Sequence, residues 1–74
     1  MRTVHFTALI EQEGDGYVAL CPELDIASEG DTVEEARLML KEAVELFFEC
    51  ASEEEIGRRM GGQCYIVPME CTIA

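Results

Sequence analysis

The sequence predicts an α+β domain in which three antiparallel strands, one main helix, a short second helix and a fourth strand follow in the order β-β-β-α-α-β. Three observations point there. Apolar residues alternate with period two at both ends of the chain, recur with a 3.6-residue period in the middle, and two Thr/Ser-x-x-Glu signatures mark helix starts at Thr32 and Ser52. All 74 residues are expected in a single domain, because a chain this short hides only about 60% of the surface it exposes when unfolded.

The first strand is expected over residues 3–10, with Val4, Phe6, Ala8 and Ile10 on one face and Thr3, His5, Thr7 and Leu9 on the other. Gly14-Asp15-Gly16 tolerates the positive φ of a tight turn, and residues 17–21 form the returning strand of a hairpin. Pro22 has no N–H to give a ladder and ends it. A third strand is expected over residues 24–29, ended by Gly30.

In the main helix the Thr32 hydroxyl and the Glu35 carboxylate are placed to satisfy free N–H groups at its start. Val33, Ala36, Met39, Leu40, Ala43, Val44, Leu46, Phe47, Cys50 and Ala51 form one broad apolar stripe, with Glu34, Lys41, Glu45 and Glu49 on the reverse. Leu38 points to the polar side, and Phe48 lies at the margin of the stripe. Ser52 and Glu55 open a second helix running to about Met60. Arg58 and Arg59 suit the negative end of its dipole, and Gly61-Gly62 stops it.

Residues 64–74 alternate again, placing Tyr65, Val67, Met69, Cys71 and Ile73 on one face of a fourth strand. At about 3.3 Å per residue it spans roughly 36 Å, twice the roughly 17 Å of residues 17–21, so part of it overhangs its sheet. Pro68 favours an edge position. An overhanging apolar edge invites a second copy, and a homodimer or higher homo-oligomer is expected through those five residues.

Charge narrows the function. Sixteen acids against five Lys and Arg leave a net charge of -11, which argues against nucleic acid or an anionic membrane as a direct ligand and suits a basic partner. Residues 11–55 hold 15 of the acids and only two bases, whereas the two ends together are net positive. The hydrophobic share of 49% is that of a folded chain. No uncharged run approaches the about 20 residues of a membrane span, and the N-terminus lacks a signal-peptide core. Cys21, Cys50, Cys64 and Cys71 include no Cys-x-x-Cys pair, so a cytoplasmic protein with reduced, buried thiols is expected, with no metal and no cofactor.

Gly16-Tyr17 opens the second strand, Cys21-Pro22-Glu23-Leu24 closes it and Gly30-Asp31-Thr32 forms the next turn. The helix carries Glu34-Glu35-Ala36, Lys41-Glu42-Ala43 and Glu45-Leu46. This ordered series, covering residues 1 to about 50, resembles the HicB-type antitoxins of bacterial toxin–antitoxin pairs. The resemblance implies a partial RNase H fold and a role in binding and silencing HicA-type toxins, small basic proteins that cleave mRNA. Many such relatives carry a glycine after Pro-Glu-Leu-Asp. Here Asp25-Ile26-Ala27 follows in one residue fewer, which bears on the register of the third strand. Nothing after Met60 can form the operator-binding module with which such antitoxins often end, so DNA binding by this chain is not expected.

Catalysis is not expected either. RNase H-like enzymes hold metal on carboxylates beginning in the first strand, but residues 3–10 contain no acid. His5 is the only imidazole available to activate a nucleophile, and no glycine-rich loop can cradle phosphate. The expected function is antitoxin-like binding of a HicA-type toxin. The partner-binding candidates are Glu11, Glu13, Asp15, Glu23, Asp25 and Glu29, which flank the hairpin and third strand. The alternatives are a solitary dimerisation domain without a toxin and a small metal-dependent nuclease.

Overall fold

The computed structural model of the chain describes residues 3–74. Three strands, β1 (Leu9–Glu13), β2 (Gly16–Cys21) and β3 (Ile26–Gly30), form an antiparallel sheet in the order β1-β2-β3, and two helices follow, α1 (Val33–Cys50) and α2 (Glu53–Gly61). The expected α+β class is therefore present, with three strands. Among the described residues no helix is long and apolar enough to cross a membrane.

The hairpin closes through two residues, because Glu13 pairs with Gly16. Gly14 has φ 60 and Asp15 does not share the positive φ, as in a type II′ turn, whose twist matches that of the strands it joins. The second reversal is built differently. The Leu24 amide donates to the Cys21 carbonyl at 3.3 Å, so Pro22 occupies the turn position that its fixed φ suits. Asp25 then takes the left-handed conformation at φ 55, a role to which aspartate is better suited than most side chains.

Both ends of β1 and of β3 differ from expectation, and β1 runs to Glu13, past residue 10. The β1 ladder begins at Leu9, opposite Leu20, and residues 3–8 lie outside it, because β2 ends at Cys21 and Pro22 offers no donor. Leu24 and Asp25 belong to the turn, so β3 starts at Ile26. Gly30 remains in the ladder opposite Tyr17 and does not end it beforehand.

Helix α1 starts as expected: the Thr32 hydroxyl accepts from the Glu35 amide at 3.0 Å. The Glu35 carboxylate reaches back to the Asp31 amide at 3.1 Å, one residue before the cap. The apolar stripe is narrower than its sequence span. Ala36 and Leu40 are buried, and Val44 and Phe48 pack against the core one and two turns later, an i, i+4 seam. Val33, Met39 and Leu46 are exposed, since a three-stranded sheet is too narrow to cover them. Ser52 caps α2 by accepting from the Glu55 amide at 3.1 Å. Arg59 then ties α2 to the body: its Nη1 donates to the carbonyls of Leu24 at 2.8 Å and Asp25 at 3.1 Å, and its guanidinium lies 5.6 Å from the centre of the Phe47 ring.

The buried core is Ala19, Cys21, Leu24, Ala36 and Leu40. Of the four cysteines only Cys21 is inside; Cys50, Cys64 and Cys71 are exposed, contrary to the expectation of buried thiols. The expected fourth strand does not form. Residues 63–74 carry no regular secondary structure and are exposed throughout, because their alternating apolar side chains meet no sheet edge within this copy.

Where α1 begins, a Cβ built on Gly30 would stand 2.6 Å from the Ala36 nitrogen and 2.9 Å from the Glu35 carbonyl carbon. Gly30→Ala should therefore push α1 off the sheet and lower unfolding stability by about 1–3 kcal/mol in urea titrations. Gly57→Ala, within α2 and with open space around its Cβ, should be neutral or raise stability by up to about 1 kcal/mol. Equal effects at the two sites would mean that helix–sheet spacing does not depend on Gly30.

Candidate functional site

Strand alternation divides the sheet into two chemically different faces. Ile10, Tyr17, Ala19, Cys21 and Ile26 belong to the helix-covered side and pack in or against the core. The other side carries Leu9, Leu20 and Ala27 in one cross-strand row, and Glu11, Val18 and Glu29 in the next. Glu13 follows, opposite Gly16. An apolar row thus crosses all three strands, with acids on both outer strands beside it.

Beyond Glu13 and Glu29, Asp31 and Glu35 line the same shallow hollow of 390 Å³ at the hairpin end of the sheet. Asp31 and Glu35 were not among the sequence candidates. They arrive because Gly30 pairs with Tyr17, which brings the β3–α1 turn beside the start of β2; the Gly30-Asp31-Thr32 turn was the available signal. Glu11, Glu13 and Glu29 therefore share one face, and Asp15 sits in the hairpin turn that borders it.

Glu23 and Asp25 lie apart from that group, in the turn between β2 and β3. Glu23 is engaged within the chain. Its carboxylate accepts from the Thr7 amide at 3.1 Å to each oxygen and from the Thr7 hydroxyl at 2.6 Å. These bonds hold residues 3–8 beside the sheet where the ladder has run out. Burial would push the Glu23 carboxyl up, but the hydrogen bonds it accepts, from Thr7 foremost and also from its own backbone and Cys21, together outweigh it and hold the group below the ordinary carboxylate range. The Cys21 thiol donates to the same carboxylate at 3.5 Å, and burial pushes its pKa up. Asp25 is exposed and lends its carbonyl to Arg59.

Among the described residues no three His, Cys, Asp or Glu side chains come together in a group that would hold a metal ion. The five residues expected at a dimer interface lie in the irregular segment, where Tyr65 is 74%, Val67 73%, Met69 85% and Ile73 89% exposed, and Cys71 is exposed as well.

The UPF0150 protein ssl0738 of Synechocystis sp. is 46% identical to this chain over 50 residues, which cover 65% of the chain and 69% of that protein. The chain belongs to the UPF0150 family. A second UPF0150 protein of the same organism, ssr1765, is 49% identical over 47 residues, 61% of this chain and 60% of that relative. No protein-family model and no solved structure matches the chain.

In this UPF0150 chain the Glu23 clamp links pH to stability. Because its pKa is lower folded than unfolded, the carboxylate contributes stability above its unfolded value of about 4.3, and that contribution is lost as pH falls through the folded value. Glu23→Gln should be less stable than the parent by about 1–2 kcal/mol at neutral pH, with the gap closing in acid. Urea titrations across acid and neutral pH check this; a gap that persists at the acid end would assign the loss to packing.

Proposed function

We propose that this UPF0150 protein is an antitoxin-like binding module, not an enzyme, and that its partner is a small basic HicA-type ribonuclease. The observation that carries the reading is the open sheet face, where the apolar row of Leu9, Leu20 and Ala27 is bordered by Glu11, Glu13 and Glu29. An apolar strip gives a partner surface to desolvate, and a like-signed border selects a cationic partner and speeds its approach. The net charge of -11 acts in the same direction at longer range. The resemblance of residues 1 to about 50 to HicB-type antitoxins supplies the class of partner, and occupying a ribonuclease's cationic RNA-binding surface would silence it. Such a partnership belongs in the cytoplasm, where Cys50, Cys64 and Cys71 remain reduced.

Within the reading, Glu11, Glu13 and Glu29 contact the partner and Asp15 adds to the field, while Glu23 and Asp25 serve the fold. The experiment is titration calorimetry against a small basic HicA-type ribonuclease. Reversing three charges together, Glu11→Lys, Glu13→Lys and Glu29→Lys, should weaken binding about tenfold or more, about 1.4 kcal/mol, and flatten its salt dependence. Glu53→Lys and Glu54→Lys, on α2, should have little effect. Unchanged affinity in the triple variant removes this face from the account. Magnesium-dependent RNA cleavage by the purified protein, abolished by chelation, would replace the binding reading with a nuclease.

A further inference from the structure

Two surfaces of this chain are each half of a contact. Residues 3–8 run alongside α1, with Phe6 stacked on Phe48 at 5.9 Å between ring centres. Between that segment and the helix opens a groove of 920 Å³, walled by Val4, Phe6, Leu40, Val44, Phe48 and Met60 among others. Its strand-like wall is unpaired: among the described residues, no backbone group of residues 3–6 bonds to another backbone group. β1 continues the same wall as an edge strand of the sheet. The second surface is the exposed segment 63–74, whose alternating apolar side chains have no face to rest on.

The two match in length. At about 3.3 Å per residue, residues 3–13 extend roughly 36 Å and residues 63–74 roughly 40 Å. Pro68 fits an added outermost strand, where alternate N–H groups point away from the ladder.

The exposure of the tail selects the occupant. Met60, at the end of α2, stands on the groove wall, yet residues 63–74 that follow are exposed throughout and do not fill the groove of their own copy. The molecule is accordingly drawn out to 49 × 29 × 19 Å, with a radius of gyration of 14.5 Å against about 11 Å for a compact chain of this length.

Charge selects the same occupant. Two copies that each carry -11 repel, and residues 11–55 concentrate that repulsion. Outside that span, residues 1–10 hold one arginine and no acid, and residues 56–74 hold two arginines and one glutamate. The N-terminal wall and the tail are thus the parts of this chain that a second copy can approach with least opposition.

We infer that residues 63–74 of one copy add as a strand along residues 3–13 of a second copy, with their apolar face in its groove, and that the second copy returns the same contact. The result is a twofold dimer with exchanged tails. Two equivalent contacts double the surface buried by one, toward the roughly 1,600 Å² of a stable interface. The pairing follows the backbone edge of β1, which carries Glu11 and Glu13, but it sets its apolar face on the helix side of the sheet, so the mass of the chain tests it without the proposed toxin.

The test is the mass of the full chain by light scattering after size-exclusion chromatography, beside the double variant Val67→Asp, Met69→Asp. The expected result is twice 8.2 kDa for the parent and 8.2 kDa for the variant, with helical circular dichroism unchanged because both side chains are exposed in one copy. Any parent mass other than two copies overturns the exchange, as does a dimer that the variant leaves intact. A one-copy mass with the tail amides protected from hydrogen exchange would place the tail in its own groove.

Discussion

The structure depends on how closely α1 can approach the sheet. Three small residues make that approach: Gly30, whose missing Cβ leaves room for the backbone of Glu35 and Ala36, and the fully buried Ala19 and Ala36. With the helix this low, Leu24, Leu40 and Cys21 suffice to close the interior, and a core of five residues becomes workable. A larger residue at any of the three would open space that so short a chain has no side chains to fill. The same closeness fixes the helix start, because the chain must turn from β3 into α1 within Asp31 and Thr32. The Thr32 cap and the bond from Asp31 to Glu35 are the local chemistry of that tight passage.

Features decided by neighbouring residues were legible in the sequence. Gly14-Asp15, Pro22, Thr32 with Glu35, and Ser52 with Glu55 each carry their geometry within four residues, and each stands where its chemistry places it. Features decided across the fold were not. Where β1 begins is set by where β2 ends, so the apolar run of residues 3–10 gave no sign that its first six residues would leave the ladder and be held by a glutamate 16 positions away. The width of the apolar stripe on α1 depends on how many strands lie beneath it, which helical periodicity does not encode. The open face was legible in part: Glu11, Glu13 and Glu29 are candidates as acids flanking the hairpin and third strand, but placing them on one face beside Asp31 and Glu35 required the registers of β1 and β3. Residues 64–74 alternate as a strand should, and alternation alone does not supply a neighbouring edge.

Acidity and hydrophobicity are sorted to different parts of the molecule. The acids of the hairpin, the β3–α1 turn and the outer side of α1 surround the domain, with modest exposed pairs such as Lys41 with Glu45 at 3.1 Å. Arg37 beside Glu34 holds that carboxyl below its ordinary range, although both side chains remain exposed to water. Exposed apolar surface lies in the row of Leu9, Leu20 and Ala27, along α1 at Val33, Leu38, Met39 and Leu46, and above all in the tail. One chain therefore presents a surface that repels its own kind and another that does not.

Helix α2 contributes no buried residue, and its attachment to the rest of the fold runs through Arg59. Both acceptors of that guanidinium are neutral backbone carbonyls, so the link lacks the salt sensitivity of a surface ion pair. It also spans about 35 positions of chain, which means that it forms only after the turn at Leu24 and Asp25 is in place. Opening α2 exposes little apolar surface and breaks few bonds, so its amides should exchange with solvent through a local motion far cheaper than global unfolding. The free energy of that motion is set by one side chain, and with it the freedom of everything that follows residue 61.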